Sequence, residues 1–442
     1  MIDIKILDFK EKFLIFPFVL ISLIPLTLIT GPAIPDISVT ISCIFFIILL
    51  LRKKINTSSD IFLYYTLFFW LALLILNLIS INISQSISEA FIFLRLLLIP
   101  IIMYIWLINS TKLLKLILFI VFFANSIVIL DTIFQFLNYH PINGFGQDFF
   151  QRDAEIYGRL SGPFLDMVPG SFIAKFFIFG FIFLTLIIKN KKNLFVLSII
   201  YLSLCGLITF ISGERMALAT FLLGLILLFI LIRKYRFIFL ISFLFFGLMS
   251  FTIYKFHDHF QNYKILESKP HHLGLVIEKF DKNCIDINCS RVIKLQPKLD
   301  VVLNNFSKTA YYDAFSLAFE MFKSYPMTGI GMNNFKYGCN NIDQFKRDTC
   351  WNHPHNFYLQ FLTETGVLGF FLFLFYILLI FKKTFKNFKN DIFNKFSFVS
   401  LVIIFWPLMS TGSLFKNWHG IETFFIIGLC LSLTNINNKK ST

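Results

Sequence analysis

In the stretch Trp351-Asn-His-Pro-His355-Asn-Phe-Tyr-Leu-Gln360, a long polar loop passes directly into an apolar segment. The segment runs on through Glu364-Thr-Gly366-Val-Leu-Gly369 and stays apolar to about residue 381, long enough to cross roughly 30 Å of hydrocarbon as a helix. Two histidines therefore lie at the mouth of a predicted membrane helix. Most of the flanking sequence carries no comparable chemistry.

Apolar segments of this kind recur along the chain. Of its 442 residues, 57% are apolar and only 15% are charged, against about 25% charged in an average soluble domain. No soluble fold buries so many helices that are apolar all round. We predict an all-α polytopic membrane protein with about 12 transmembrane helices, at about 13–30, 37–51, 61–80, 88–108, 113–137, 169–188, 194–211, 216–232, 237–255, 357–381, 393–411 and 419–434.

The net charge of +15 lies mainly in short loops rich in Lys and Arg. This is the distribution that the positive-inside rule gives cytoplasmic loops, so it favours a membrane over nucleic acid as the partner of the charge. Both termini are then cytoplasmic. Residues 1–255 form transmembrane helices 1–9 with an outer loop at 138–168, residues 256–356 form one large outer loop, and residues 357–442 form transmembrane helices 10–12 and a cytoplasmic tail.

The large outer loop shows no alternating strand pattern. From Ala310 to Lys323 its apolar residues have helical spacing, which predicts an amphipathic helix. The predicted packing stripe of this helix consists of Tyr311, Phe315, Ala318, Phe319 and Phe322. Pro326 and the Gly329-Ile-Gly331 sequence then end the helix.

Four ionisable residues lie inside predicted spans, each about 10 Å below the outer surface. They are Arg95, Asp131, Lys175 and Glu364. Charges at this depth normally face a cavity or one another. The layer indicates either a polar vestibule open to the outside or, for Arg95 and Asp131, a structural ion pair.

Arg215 begins a predicted span at the outer face, directly after Ser212-Gly213-Glu214. A guanidinium at a helix N-terminus can bind the oxygens of a phosphate in a fork. Arg159, from the outer loop at 138–168, is a candidate for a second guanidinium. The alternative is an arginine at the interface that simply pairs with Glu214.

His355 and Asn356 directly precede the span at 357–381. A neutral imidazole near pH 7 can accept a proton from an attacking hydroxyl, as general-base catalysis requires. The alternative is a solvated loop histidine. His353 is a second, weaker candidate for the same role.

The large outer loop also contains an even number of cysteines, which in an oxidising compartment predicts two disulfides with three possible connectivities. A zinc site formed by Cys339, Cys350, His353 and His355 is the competing interpretation, but the cysteine spacing matches no common zinc pattern. The four cysteines are Cys284, Cys289, Cys339 and Cys350.

Four motifs, taken in order, resemble the O-antigen ligase and O-antigen polymerase superfamily of bacterial membrane glycosyltransferases. Together with the span count, the resemblance covers about residues 60–430. The motifs are Arg159-Leu-Ser-Gly-Pro-Phe-Leu-Asp166 with Pro169-Gly-Ser171, Ser212-Gly-Glu-Arg215-Met-Ala-Leu, Ala318-Phe-Glu-Met-Phe-Lys-Ser-Tyr-Pro326-Met-Thr-Gly-Ile-Gly331 with Asn334-Phe335, and His355-Asn-Phe-Tyr-Leu-Gln-Phe-Leu-Thr-Glu364-Thr-Gly-Val-Leu-Gly369.

The resemblance implies a fold like that of the GT-C glycosyltransferases and a transfer reaction without metal or cofactor at the periplasmic face of the bacterial inner membrane. A glycan leaves polyprenyl (undecaprenyl) diphosphate for an acceptor hydroxyl. His355 would activate the acceptor and Arg215 would bind the diphosphate, with Asn356, Glu364 and Glu214 in supporting roles. Where the family often has an arginine just before the amphipathic helix, this chain has Tyr311-Tyr312, so Arg291 or Lys308 is the candidate replacement beside Arg159.

Three related activities fit these motifs. The ligase acceptor is lipid A-core, the polymerase acceptor is another polyprenyl-linked glycan, and a protein O-glycosyltransferase of the same superfamily acts on a protein. A secondary transporter is the interpretation from another class. It would show inverted repeats and interrupted helices in matching halves, and neither is evident in the sequence.

Overall fold

The computed structural model of the chain describes residues 15–52, 61–107, 110–141, 143–153, 159–166, 168–261, 263–268, 275–280, 290–295, 304–385, 388–408 and 412–434. The helices within these residues are α1 (Ile15–Ser22), α2 (Ile24–Thr27), α3 (Ala33–Leu51), α4 (Ile61–Asn77), α5 (Ile83–Leu107), α6 (Thr111–Leu137), α7 (Pro169–Ile187), α8 (Lys191–Ile211), α9 (Arg215–Leu231), α10 (Arg236–Phe256), α11 (Ala310–Ser324), α12 (Phe335–Asn341), α13 (Phe357–Phe385), α14 (Ile392–Ile404) and α15 (Asn417–Leu433).

The prediction of an all-α polytopic membrane protein is confirmed. Among the described residues, seven helices are long and apolar enough to cross a membrane: α3, α5, α6, α7, α8, α10 with the turn before it, and α13. Helices α4, α9 and α14 are apolar but shorter. The first predicted span is divided between α1 and α2, because Pro25 lies in the first turn of α2 and cannot donate to a continuous helix.

The chain divides into two compact units, Met1–Ile117 with Asp313–Thr442, and Leu118–Tyr312. We call them unit 1 and unit 2. In unit 1, α15 packs against α5, α14, α3 and α13, while α4 packs against α5 and α13. In unit 2, α8 packs against α7, α9 and α10. The predicted division of the chain into spans and outer loops concerns membrane topology and stays a prediction.

Unit 2 contains a three-stranded antiparallel sheet in the order β1 (Tyr263–Ser268), β2 (Leu275–Phe280) and β3 (Ser290–Leu295). The large outer loop therefore contains strands, although its sequence shows no alternating strand pattern. Alternate positions Ile277 and Lys279 of β2 are both buried. The lysine at an inward position breaks the apolar alternation in the sequence, which is why the strand is not evident there.

Lys279 is buried because its ammonium has partners. Its Nζ donates to the carbonyl oxygens of Asp258 at 3.0 Å, His259 at 2.6 Å and Gln261 at 3.0 Å. These carbonyls lie in the turn after α10, so Lys279 ties β2 to the end of that helix. Burial lowers the pKa of Lys279 to about 8.

Helix α11 begins where the sequence predicts and ends one residue later, at Ser324. Its packing face is different from the prediction. Leu317, Ala318 and Met321 are buried in a cluster with Ile330, Phe335, Cys339 and Phe345. Tyr311 and Phe319 of the predicted stripe are 43% and 48% exposed. Because apolar side chains lie on two faces of α11, periodicity alone does not identify the packed one.

Candidate active site

The histidine loop meets α13 at a side-chain cap. Oδ1 of Asn356 accepts hydrogen bonds from the backbone N–H groups of Tyr358 at 3.0 Å and Leu359 at 3.1 Å, as an N-cap residue does. Nδ2 of Asn356 donates to the carbonyl of Pro407 at 2.8 Å. Asn356 thus fixes both the start of α13 and the position of the residue before it.

His355 has a left-handed backbone conformation, with φ of 53°. This is uncommon for a residue other than glycine, and such residues cluster at active sites. Its ring centroid lies 4.4 Å from that of His353 and 5.4 Å from that of Trp351, the latter edge to face. The imidazole is half-buried against these two rings.

The electrostatic surroundings of His355 favour its neutral form. Burial first, and then His419, lower its pKa from 6.5 to about 4. Burial acts because a charged imidazolium loses its hydration there. At pH 7 the side chain therefore carries a lone pair, and it can accept a proton.

The first turn of α13 is anchored to the segment between α14 and α15. The Tyr358 hydroxyl donates to the carbonyl of Phe405 at 2.7 Å. Nε2 of Gln360 donates to Oγ of Ser413 at 2.6 Å, and its Oε1 accepts from the N–H of Leu414 at 3.2 Å. The histidine loop is thus supported by a hydrogen-bonded frame.

Helix α13 is interrupted at Gly366, which has φ of 64° and ψ of −171°. The Pro326–Gly331 turn occupies the interruption. Backbone N–H groups of Ile330 and Gly331 donate to the carbonyls of Thr363 at 3.0 Å and Glu364 at 2.9 Å, while Val367 N–H donates to Pro326 O at 2.9 Å. The backbone groups that the break frees are thereby hydrogen-bonded, as a membrane segment requires.

Glycine is required on both sides of this contact. Gly329 has φ of 71°, and a Cβ there would clash with the backbone of Glu364. A Cβ on Gly366 would clash with the backbone of Met327. The two glycines of the resembling motifs therefore allow the turn and the broken helix to approach backbone to backbone.

Glu364 is buried and holds the same turn through its side chain. Its Oε2 accepts from Asn333 N–H at 2.6 Å. Asn333 has φ of 58°, and its Nδ2 donates to Oε2 of Glu89 at 3.1 Å. Lys416 is a charged neighbour of both carboxylates. Glu364 thus positions the turn, with Asn333 and Glu89 as partners that sequence reasoning missed because neither belongs to a recognisable spacing.

Arg95 pairs with Asp36, Nη1 to Oδ1 at 2.6 Å, and also donates to Thr40 and Asn417, each at 2.9 Å. The suggested pairing of Arg95 with Asp131 is therefore wrong. Asp131 instead accepts from Phe149 N–H at 2.8 Å. Asp36 lies in the first turn of α3, where a carboxylate is favourable, and this local signal is present in the sequence.

In unit 2, Glu214 caps the N-terminus of α7. Its Oε1 accepts from Gly170 N–H at 2.6 Å and its Oε2 from Ser171 N–H at 3.1 Å. Nη2 of Arg159 lies 4.0 Å from Oε2, and Lys175 is a further charged neighbour. Burial raises the pKa of Glu214 to about 7, against the opposing effect of Arg159. Glu214 thus forms an ion pair with Arg159.

Arg215 begins α9 and is half-buried. Its guanidinium lies within electrostatic reach of Arg159 and of Tyr311. Gly213 has φ of 75°, and a Cβ there would lie 3.3 Å from Cγ of Arg159. The tight turn at Gly213 therefore places the Arg159 side chain against the segment that leads into Arg215, and the two arginines interact electrostatically.

The other two predicted cations are less constrained. Arg291 lies on β3 opposite Lys279, with its side chain exposed. Lys308 ends the short 3-10 turn Phe306–Lys308, and its side chain lies outside the described part of the chain. The role of both residues in binding diphosphate stays a prediction.

Cys339 and Cys350 form a disulfide. Their sulfurs are thus bonded to each other, which excludes the zinc site of Cys339, Cys350, His353 and His355. Cys284 and Cys289 lie outside the described residues. No group of three or more His, Cys, Asp or Glu side chains disposed to bind a metal occurs within the described ranges. The disulfide joins α12 to the residue before Trp351, and so anchors the histidine loop.

Replacing both cysteines, Cys339→Ser with Cys350→Ser, is expected to lower the free energy of unfolding by about 3 kcal/mol, because the reduced chain regains the entropy of a short closed loop. Denaturation of the purified protein in detergent measures the change. Cys430→Ala is the control, since Cys430 is a buried free thiol. Equal stability of the double variant and the wild type would show that the disulfide does not hold the loop.

Part of the chain matches a known protein family. Residues 200–374, from the middle of α8 to the middle of α13, match the profile of the family described as O-antigen ligase. The matched range contains Arg215, α11, the Pro326–Gly331 turn and His355. No curated protein matched the chain. The family match confirms the resemblance that the motifs indicate.

Proposed function

We propose that this chain belongs to the O-antigen ligase and polymerase superfamily and transfers a glycan from polyprenyl diphosphate to an acceptor hydroxyl. The acceptor oxygen forms a bond to the anomeric carbon of the glycan as the bond from that carbon to the diphosphate oxygen breaks. The hydroxyl proton passes to the protein, and the diphosphate leaves with the electron pair of the broken bond.

The observation that carries the proposal is the state of His355. The imidazole is neutral at pH 7, lies in a strained backbone conformation and is fixed by the capped start of α13. A general base needs a lone pair and a fixed position. The lowered pKa of His355 supports the first, and the Asn356 cap beside it supports the second. His355 is accordingly the residue that takes the proton of the acceptor hydroxyl.

Arg159 and Arg215 are proposed to bind the leaving diphosphate. Two neighbouring guanidinium groups repel each other, and an anion with several oxygens relieves that repulsion through forked hydrogen bonds. Glu214 supports this role by holding Arg159 and the first turn of α7. Arg291 and Lys308 remain candidates for a further contact to the same diphosphate.

Asn356 and Glu364 are proposed as positioning residues. Asn356 fixes the backbone next to His355, and Glu364 fixes the turn that fills the break in α13. Neither needs to touch the reacting atoms for its loss to misplace the base, because a displacement of about 1 Å costs roughly 100-fold in rate.

The positive-inside distribution of Lys and Arg supports a bacterial inner membrane protein with both termini in the cytoplasm and the histidine loop in the periplasm. Polyprenyl-linked glycan would then enter from the outer leaflet. Lipid A-core is the acceptor that we favour, which makes the chain an O-antigen ligase. A second polyprenyl-linked glycan as acceptor would make it a polymerase.

Purified protein incubated with an undecaprenyl diphosphate-linked glycan tests both activities. One reaction contains lipid A-core and the other contains only additional donor. Ligase activity gives glycan-modified lipid A-core in the first reaction, and polymerase activity gives longer polyprenyl-linked chains in both. Absence of product with either acceptor, from protein that is folded, contradicts the proposal.

Arg215→Ala is expected to raise the apparent KM for the donor about 10–100-fold, because a charge-assisted hydrogen bond to phosphate contributes about 1.5–3 kcal/mol. Arg215→Lys should recover part of the affinity, since lysine keeps the charge but loses the fork. Arg233→Ala, in the turn after the same helix, is the matched control. An unchanged KM in Arg215→Ala would remove this residue from the diphosphate site.

A further inference from the structure

Helix α11 has an aromatic face that lies away from its buried side. Phe315, Phe319 and Phe322 follow one another at spacings of four and three residues, which places them on one side of the helix. Phe319 is 48% exposed, and the other two rings are half-buried at the edges of the face. The helix packs into its buried cluster through a different side, with Leu317 and Met321.

The polar side chains of α11 form a third side. Because successive residues of a helix are about 100° apart, Ser316, Glu320 and Lys323 border the aromatic face on one edge only. Glu320 forms an ion pair with Arg347, which belongs to the outer segment before the histidine loop. One side of α11 thus meets the protein core, one meets the polar outer loop, and one presents aromatic rings. This division is typical of a helix that lies in a membrane–water interface.

The contact of α11 with the membrane-crossing helix α13 indicates its height. Oγ1 of Thr363, in α13, donates to the carbonyl of Ala318, in the middle of α11, at 3.2 Å. Lys382 lies in the last turn of α13, at the predicted cytoplasmic face. The 19 residues from Thr363 to Lys382 correspond to roughly 28 Å of helix. Since the hydrocarbon core is about 30 Å thick, α11 lies at its outer boundary.

The turn after α11 joins a surface of α13 that faces lipid. The N–H of Leu368 donates to the carbonyl of Met327 at 3.4 Å. Leu368 and Phe371 are exposed on α13, and an exposed apolar side chain on a membrane-crossing helix contacts acyl chains. Met327 is exposed beside them. The apolar surface that begins on α11 therefore continues into the lipid-facing surface of α13.

We propose that α11 lies in the membrane interface and that Phe315, Phe319 and Phe322 insert between the acyl chains of outer-leaflet phospholipids. The partner of this face is the lipid surface, into which such a helix sinks by about 5–10 Å. Glu320, paired with Arg347, lies on the water side. The inference goes beyond the proposed function, because it depends on the membrane and not on the reaction.

This placement also gives the height of the histidine loop. Helix α13 begins at Phe357, six residues or about 9 Å above Thr363. The headgroup region adds about 5–7 Å on each side of the hydrocarbon. His355 then lies near the outer limit of the headgroups. The packing of Trp351 against the buried cluster of α11 links this loop to the interfacial helix.

Photo-crosslinking identifies what the aromatic face contacts. The photoreactive residue p-benzoylphenylalanine replaces Phe319, Phe371 or Ser324, one at a time, in the full chain reconstituted into nanodiscs of phosphatidylethanolamine and phosphatidylglycerol. At Phe319 we expect an adduct with the mass of one phospholipid, in a yield comparable to that at Phe371 on α13. Ser324 is the control, because it is exposed and accepts a hydrogen bond from Gln344 of the outer loop. It should give no lipid adduct.

Two results of this experiment would overturn the inference. One is a phospholipid adduct at Phe371 with none at Phe319. The other is a crosslink from position 319 to a second copy of the chain in place of lipid, which would make the aromatic face a protein interface. Neither result depends on glycan transfer, so the proposed function is tested separately.

Stability in the same nanodiscs provides a second measurement. Phe319→Asp should lower the melting temperature, because it places a charge against hydrocarbon. Ser324→Asp should leave the melting temperature unchanged. A ring that faces water would tolerate the aspartate, so an unchanged melting temperature of Phe319→Asp would contradict the placement of α11.

Discussion

His355→Ala is expected to abolish glycan transfer, with a loss of at least about 100- to 10,000-fold in kcat, the range that a positioned general base contributes. The donor KM should change little, since the diphosphate is assigned to Arg159 and Arg215. The dependence of the wild-type rate on pH should also reveal this base. The base acts when deprotonated, so activity should persist in mildly acidic buffer and be lost only as the pH falls toward about 4.

His353→Ala is the matched control for this variant. His353 is the other histidine of the loop, and its ring centroid lies 4.4 Å from that of His355. We expect it to alter the rate far less than His355→Ala, because the base is the residue adjacent to the Asn356 cap. If His353→Ala is the inactive variant and His355→Ala remains active, the base has been assigned to the wrong histidine.

Gly366→Val is expected to be the most destabilising single change, costing about 2–5 kcal/mol. A side chain in the left-handed region costs about 1–2 kcal/mol, and overpacking a tight contact costs about 1–3 kcal/mol more. The Cβ would strike the Met327 backbone, so the Pro326–Gly331 turn could not close the break in α13. Thermal denaturation in detergent measures the loss.

Gly247→Ala provides the comparison for Gly366→Val. Gly247 lies within α10 with open space around its Cα, and alanine should be neutral or slightly stabilising there. Gly329→Ala, on the other side of the contact, should resemble Gly366→Val. If Gly366→Val melts at the wild-type temperature, the backbone contact between turn and broken helix does not stabilise the fold.

Apolar length and helical periodicity are robust signals, and they predict the long helices and α11 closely. The observed bounds of α11 lie within one residue of the predicted ones. Both ends are marked in the sequence, because a polar loop precedes Ala310 and Pro326 follows the helix. Its packed face is not predictable in this way. Ala318 and Met321 are buried while Phe319 is exposed, and only tertiary packing chooses between two apolar faces.

Polar residues inside the helices are harder to interpret, since their partners come from distant parts of the chain. Arg95 pairs with Asp36 of α3 rather than with a residue of the following span. The sequence does not predict Lys279 as an inward-facing strand residue, because its ammonium is hydrogen-bonded to backbone carbonyls that the sequence does not identify.

The interruption of α13 has a further consequence for the transporter alternative. Interrupted helices in transporters leave backbone groups that line a substrate cavity. At Gly366 the backbone groups of Thr363, Glu364 and Val367 are instead hydrogen-bonded to the Pro326–Gly331 turn. The sequence contains both glycines, but only the structure shows that one motif fills the break in the other.

Mass spectrometry of the reaction products shows whether the protein transfers glycan and whether His355 is needed. Purified wild-type protein is mixed with undecaprenyl diphosphate-linked glycan and lipid A-core, with His355→Ala in parallel. With the wild type we expect glycan attached to the acceptor and an equal amount of released undecaprenyl diphosphate, and with the variant we expect neither product. Intact donor and unmodified acceptors from folded wild-type protein, or equal product from His355→Ala, would contradict it.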